Sequence, residues 1–104
     1  MLFRSAYRLP KDAPERSAAV LAALKHATEV PLDVAERAAR VAAIIEALEP
    51  ITSPAMASDL GVGRLMAEAA LEGALANVEA NIGSIKDERF VARVRERVEK
   101  MEQE

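Results

Sequence analysis

Apolar positions recur along most of this chain at alternating three- and four-residue steps, the spacing that gathers side chains onto one side of an α-helix. Residues 1–13 hold no sustained period, and Tyr7-Arg8-Leu9-Pro10-Lys11 predicts a loop, because proline disfavours helix at the residue before it. Asp12 then opens a first helix: Asp12 and Glu15 form a capping-box-like pair, and Pro14 sits early, where its missing N–H costs nothing. That helix runs to about Glu29, with Val20, Leu21, Leu24 and Ala27 on its apolar side. Pro31 either starts a second helix or kinks one long helix; a break or bend is the expectation, since an interior proline removes a hydrogen bond and crowds the preceding turn. From there to about Glu49, the spacing of Val34, Ala38, Val41, Ile45 and Leu48 predicts the seam of a helix packed lengthwise on another.

Pro50 and Pro54 bracket a short loop, with Ser53 and Ser58 as local capping groups. A third helix is predicted from about Ser58 to Ile82 and a turn near Gly83 and Ser84. A fourth helix follows from about Asp87, with Phe90, Val94, Val98 and Met101 on one stripe. The expected architecture is all-α, a helical bundle of about four helices.

Composition sharpens this picture in one respect. With 104 residues there is room for one domain, and with alanine commonest and aromatics at 3% the core has little bulk per residue, since a buried alanine removes far less surface from water than a leucine. Close helix packing or a partner subunit must supply the remaining stability. The net charge of −3 offers no basic footprint for a nucleic-acid backbone. The absence of cysteine excludes disulfides, thiolate metal sites and cysteine nucleophiles, and the single histidine, His26, excludes a multi-histidine metal site within one chain. No apolar run approaches the roughly 20 residues that span a bilayer, so no membrane partner and a cytoplasmic location are expected.

The third predicted helix carries the candidate chemistry. Asp59, Gly63, Met66, Ala70, Gly73 and Asn77 follow one another at steps of four, three, four, three and four, so all six fall along one face, with Asn81 one turn further. That face is polar, then small, then polar. A mid-helix glycine costs up to roughly 1 kcal/mol against alanine, and close approach of another backbone or a flat ligand would offset it. Plainer readings stand beside this one. Ser58 and Asp59 also suit a helix start, where they satisfy free N–H groups, and Asn77 and Asn81 also suit helix packing or a C-terminal turn.

The stretches Ser58-Asp59-Leu60-Gly61-Val62, Ala69-Ala70-Leu71-Glu72-Gly73-Ala74 and Asn77-Val78-Glu79-Ala80-Asn81 resemble the signature of the formiminotransferase-cyclodeaminase C-terminal family, which includes bacterial methenyltetrahydrofolate cyclohydrolases. Ala6-Tyr7-Arg8-Leu9-Pro10-Lys11, Val30-Pro31-Leu32 and Lys86-Asp87-Glu88 resemble its flanking turns, so the likeness covers about residues 6–104 and corresponds to the C-terminal half of that helical domain. The chain departs from the family at Ser53-Pro54-Ala55-Met56, where related sequences often carry asparagine just before the Ser-Asp pair.

The resemblance implies folate one-carbon chemistry: a methenyl bridge between two folate nitrogens takes up water and opens to the formyl form, or a formimino group cyclises with loss of ammonia. It implies tetrahydrofolate derivatives as substrate, no further cofactor and no metal, and a homodimer or higher homo-oligomer. By the same resemblance Asp59 becomes the catalytic candidate, stabilising a cation or moving a proton. Asn77, Asn81, Ser58 and Lys11 become substrate-binding candidates, the asparagines for pterin or amide groups and Lys11 for the anionic glutamate tail. The family's preceding helical half, with its glycine-rich segment, helps to build the folate crevice, so this chain alone is expected to be inactive.

Met1-Leu2-Phe3-Arg4-Ser5 is expected to be foreign to the domain. Leu2 to Ser5 back-translate as CTCTTCCGATCT, which resembles the end of a common sequencing adapter, and a truncated reading frame is the expectation. Two other readings compete: a non-catalytic helical self-association module, and a minimal enzyme in which several short subunits rebuild the missing half.

Overall fold

The structure, a computed structural model, describes Ala6, Arg8 and residues 14–103. Lys11, the residues 1–5 expected to be foreign, and the predicted start at Asp12 lie outside the described residues. Among the described residues three long α-helices follow in order: α1 (Pro14–Leu48), α2 (Ala57–Ile82) and α3 (Glu88–Gln103), with two 3₁₀ turns, Glu49–Ile51 and Pro54–Met56, joining the first two. No strand occurs among the described residues. All-α holds, and the expected count of about four becomes three among the described residues.

The difference lies at Pro31. The 35 residues of α1 pass through it without a break. Proline supplies no N–H to the carbonyl four residues back, which leaves the Ala27 oxygen without its helical donor. Asn81, on α2, fills the gap: its Nδ2 donates to the Ala27 carbonyl at 2.9 Å. A tertiary hydrogen bond thus replaces the missing local one, and the helix continues. One position on, Thr28 is fully buried and its Oγ1 donates to the Leu24 carbonyl at 2.7 Å, so its polar atom is also satisfied inside the seam.

α1 and α2 pack as an antiparallel hairpin along an alanine-rich seam. Leu32, Ala35, Ala38 and Ile45 of α1 and Ala67, Ala74, Val78 and Ile82 of α2 are buried. Gly63 permits close approach there, since a Cβ at that position would stand 3.3 Å from Ile45 Cδ1. Two sequence-predicted seam residues, Ala38 and Ile45, belong to this contact, whereas Val34, Val41 and Leu48 point outward and are 45, 47 and 39% exposed. The real seam lies on the neighbouring face and is made of smaller residues. At the tip, Arg64 bridges to Glu49 at 2.7 Å, and Thr52 Oγ1 caps the Leu48 carbonyl at 2.5 Å.

α3 returns along one side of the hairpin. Its start is fixed by Asp87, whose carboxylate accepts the Phe90 N–H at 3.2 Å and pairs with Lys25 on α1 at 2.6 Å. Phe90 and Val94 then enter a cluster with Leu32, Val78, Ile82 and Ile85, flanked by Val98 and Met101, as the stripe predicts. The turn before it closes through Gly83, Ser84 and Ile85 N–H groups donating to the carbonyls of Glu79, Asn81 and Ile82.

Candidate functional site

The face of α2 that α3 leaves uncovered holds the polar and small stripe. Asp59 and Asn77 are 18 positions apart on an unbroken helix, five whole turns, so they share an azimuth and stand about 27 Å apart along the axis. Asp59, Met66, Ala70, Gly73 and Asn77 are all exposed, and Gly63 is half-buried. A Cβ at Gly73 would meet nothing within 4 Å, so no contact within the chain accounts for a glycine there.

Beside Asn77 the hairpin opens into a cleft of about 400 Å³ lined by Ala27, Val30, Pro31 and Val34 of α1 and Ala70, Ala74, Asn77 and Asn81 of α2. Its walls are apolar and its polar groups are two amides. Asn81 spends one N–H on the Ala27 carbonyl, which orients its side chain; the Asn77 amide is exposed and open to a ligand. An open, shallow apolar groove with two amides suits one face of a flat, hydrogen-bonding ring. Sequence reasoning found the two asparagines but missed the opposite wall of Val30, Pro31 and Val34. The proline was a signal, because it frees a carbonyl four residues back, but the donor's identity is tertiary information.

The other candidates lie elsewhere. Asp59 and Ser58 occupy the exposed first turn of α2, where the N-cap position is Met56 and no side chain caps the free N–H groups. Neither therefore caps the helix through a hydrogen bond, while Asp59 still lies in the first turn, where a carboxylate suits the positive end of the helix dipole. Ser53 likewise makes no side-chain cap, its carbonyl accepting the Met56 N–H at 3.0 Å. His26 is exposed. Among the described residues no cluster of His, Cys, Asp or Glu gathers that could hold a metal ion, and no helix is long and apolar enough to cross a membrane.

Perturbed charges sit on the α3 side, away from the cleft. Arg97 grips Glu36 with two hydrogen bonds, Nε to Oε2 at 3.0 Å and a second from its terminal nitrogen to Oε1. Those bonds hold the Glu36 carboxyl below its usual range against the opposing effect of burial, and raise Arg97 in turn. Asp87 is lowered by the hydrogen bond from Lys25 and by the Phe90 N–H. Lys25 and Arg93 also approach the Phe90 ring, at 5.5 and 5.9 Å from its centroid. These groups anchor α3.

A family model described as formiminotransferase-cyclodeaminase matches residues 2–100. The formimidoyltransferase-cyclodeaminase of Sus scrofa is 36% identical over 106 residues, covering 98% of this chain and 20% of that protein. The protein of the same name from Gallus gallus is 38% identical over 92 residues, 85% of this chain and 17% of its own length. That of Rattus norvegicus is 31% identical over 103 residues, 95% of this chain and 19% of its own. The chain thus spans about a fifth of the length of these relatives. No solved structure matches. With nearly the whole chain matched and the cleft-lining asparagines inside the matched stretch, the chain belongs to the formiminotransferase-cyclodeaminase family.

Proposed function

We propose that this chain serves folate one-carbon metabolism in the cytoplasm, as part of a homo-oligomeric enzyme that either hydrolyses methenyltetrahydrofolate to formyltetrahydrofolate or cyclises formiminotetrahydrofolate with release of ammonia. The observation that carries the reading is the apolar cleft with Asn77 and Asn81 on one wall, inside the stretch matched by the family. A pterin ring lies between Val30, Pro31 and Val34 and is hydrogen-bonded by the two amides. Asp59 holds charge or moves the proton at the electron-poor bridging carbon, Ser58 assists beside it, and Lys11 meets the glutamate tail. In the hydrolytic reaction water adds to the bridging carbon, one carbon–nitrogen bond breaks, and a proton leaves; in the cyclising one the folate's anilino nitrogen, outside the pterin ring, attacks the formimino carbon carried by the ring nitrogen, and ammonia departs.

Geometry limits what one chain does. The bridging carbon of a folate is attached to the pterin, within a few bonds of the ring, whereas Asp59 stands about 27 Å from Asn77 on the same helix. A single copy therefore does not bring Asp59 to the reacting end of a folate held by its own Asn77. This supports the expectation that the isolated chain lacks turnover.

Calorimetric titration of the chain with methenyltetrahydrofolate tests the reading. Heat of binding that vanishes in Asn77→Ala, with helicity unchanged, is the expected result. In a full-length family enzyme, Asp59→Asn should fold but lose most turnover, and unchanged kinetics would remove Asp59 from the site. The second reading, a non-catalytic self-association module, is favoured by the exposed apolar residues of the hairpin, Leu65 at 67% and Met66 at 68% among them. It predicts a stable oligomer with no heat of folate binding.

A further inference from the structure

Pro31 and Asn81 line opposite walls of the same cleft, one on α1 and one on α2. The proline gives the Ala27 carbonyl no helical donor, so that oxygen takes its hydrogen bond from outside the helix. Asn81 supplies it, Nδ2 to oxygen at 2.9 Å. An asparagine amide can otherwise turn end for end, since its oxygen and nitrogen are close in size. Here one orientation is excluded. With the amide turned, Oδ1 would stand against the Ala27 oxygen, two acceptors with no proton between them. The residue at position 31 therefore decides the orientation of a side chain 50 positions away in sequence.

Once that bond is made, the amide keeps its whole oxygen and one N–H. Among the described residues Asn81 Oδ1 receives no donor, and no buried side-chain oxygen there lacks a partner, so Oδ1 is accessible on a residue that lines the cleft. Asn77, one turn earlier and exposed, has no hydrogen bond among the described residues to fix its amide, and it adapts to a donor or an acceptor. The cleft thus holds one acceptor of set position beside one adjustable amide.

We infer that Pro31 is a positioning residue of this cleft, acting through Ala27 and Asn81 to hold Asn81 Oδ1 as a fixed acceptor for an N–H-bearing edge of the ligand ring. An apolar wall needs no proline, because valine would line the groove as well and would keep the helical hydrogen bond. Proline leaves the Ala27 oxygen in need of the Asn81 N–H, and no other residue type does. The ligand's identity rests on the folate reading: the amino-pyrimidinone end of a pterin carries N–H donors on its amino group and on the adjacent ring nitrogen. A ring edge that offers acceptors alone is opposed by Oδ1. The orientation itself depends only on three residues of this chain.

Two substitutions at each position test both parts. Pro31→Val restores an N–H to Ala27 and keeps an apolar wall; Asn81→Asp keeps an acceptor and removes the donor. With Pro31 in place, Asn81→Asp sets a carboxylate against the Ala27 oxygen and should lower the urea midpoint sharply or prevent folding. In the Pro31→Val background the same change should lower it much less, and an equal drop in both backgrounds would overturn the positioning role. Nuclear magnetic resonance gives a readout that packing alone would not move: one proton of the Asn81 side-chain amide should be protected from solvent exchange, and Pro31→Val should reduce that protection. Unchanged protection likewise overturns the role. Binding is then measured by calorimetry with formyltetrahydrofolate, whose one-carbon unit carries no cation, in the Pro31→Val background, with helicity checked by circular dichroism. There Asn81→Ala should weaken binding about tenfold relative to Asn81→Asp, the loss of one hydrogen bond to a charged acceptor. Equal weakening by the two would mean that the ligand donates nothing to position 81, which overturns the fixed acceptor. Absence of heat with the unsubstituted chain, together with the protected proton and the unequal urea midpoints, supports the orientation by Pro31 and removes only the folate assignment.

Discussion

At the scale of single residues, Pro31, Ala27 and Asn81 form one unit. Proline withdraws a donor from the interior of a long helix, and an amide from the neighbouring helix replaces it at 2.9 Å. Removing the amide leaves a carbonyl at a half-buried site without a partner, which costs about 1–3 kcal/mol. Asn81→Ala should accordingly lower the free energy of urea unfolding by that amount. The assignment has a stricter check. In a Pro31→Ala background the restored N–H donates to the Ala27 oxygen, and the additional loss from Asn81→Ala should shrink; an equal loss in both backgrounds would mean that Asn81 acts through some other contact. The same bond holds the Asn81 side chain against one wall of the cleft, so Asn81→Ala should also weaken folate binding in calorimetry, while Pro31→Ala, which leaves Asn81 in place, should weaken it less.

At the scale of elements, α3 is tied to the hairpin by charge at both ends, Asp87 with Lys25 at its start and Arg97 with Glu36 near its end. Glu36 is held below its usual value near 4.5, so the folded state binds protons at this group less readily than the unfolded chain. Its contribution is therefore complete above that value and is lost as pH falls through the lower folded value. Stability measured by urea unfolding should decline on acidification below about pH 4.5, Asp87 adding to the decline further down, since it is lowered from 3.8. Arg97→Leu should flatten the upper part of that decline; an unaltered pH profile would show that the pair contributes nothing. The existence and limits of α2 and α3 were legible in the sequence, because Phe90, Val94, Val98 and Met101 keep a helical period and Asp87 marks a start. The continuity of α1 was not, because the donor that replaces the proline N–H lies 50 residues away from it in sequence. The seam of α1 was read one face over for a different reason. Val34, Val41 and Leu48 are larger and more apolar than Ala35 and Ala38, and hydrophobic pattern alone gives the larger residues to the core. Here the alanines take the close helix contact, where thin side chains are required, and the larger residues face outward. Of the candidate site, the common face of Asp59 and Asn77 followed from spacing alone, while the cleft depended on how α1 and α2 meet.

At the scale of the whole molecule, the radius of gyration is 18.1 Å, against about 13 Å for a compact domain of this length. An elongated hairpin with one helix on one side has surface to spare, and between Asp59 and Asn77 the residues on its open side are apolar or small. Gly73 is where this shape can be tested with the smallest change. Within one chain nothing stands near a methyl group added there, so Gly73→Ala should stabilise the helix of the dissociated chain by up to about 1 kcal/mol, through helix propensity alone. In a homo-oligomer of the kind proposed, packed on this open face of α2, the same methyl enters a close helix contact and pushes two helices apart, so it should weaken association. Because association stabilises the folded state by mass action, the two effects separate with protein concentration. In urea unfolding, Gly73→Ala should be the more stable form when the protein is dilute, and that advantage should vanish or reverse when it is concentrated. An advantage of constant size over the whole concentration range would mean that this face of α2 meets no second copy, since a surface that touches nothing responds only to what happens within its own helix.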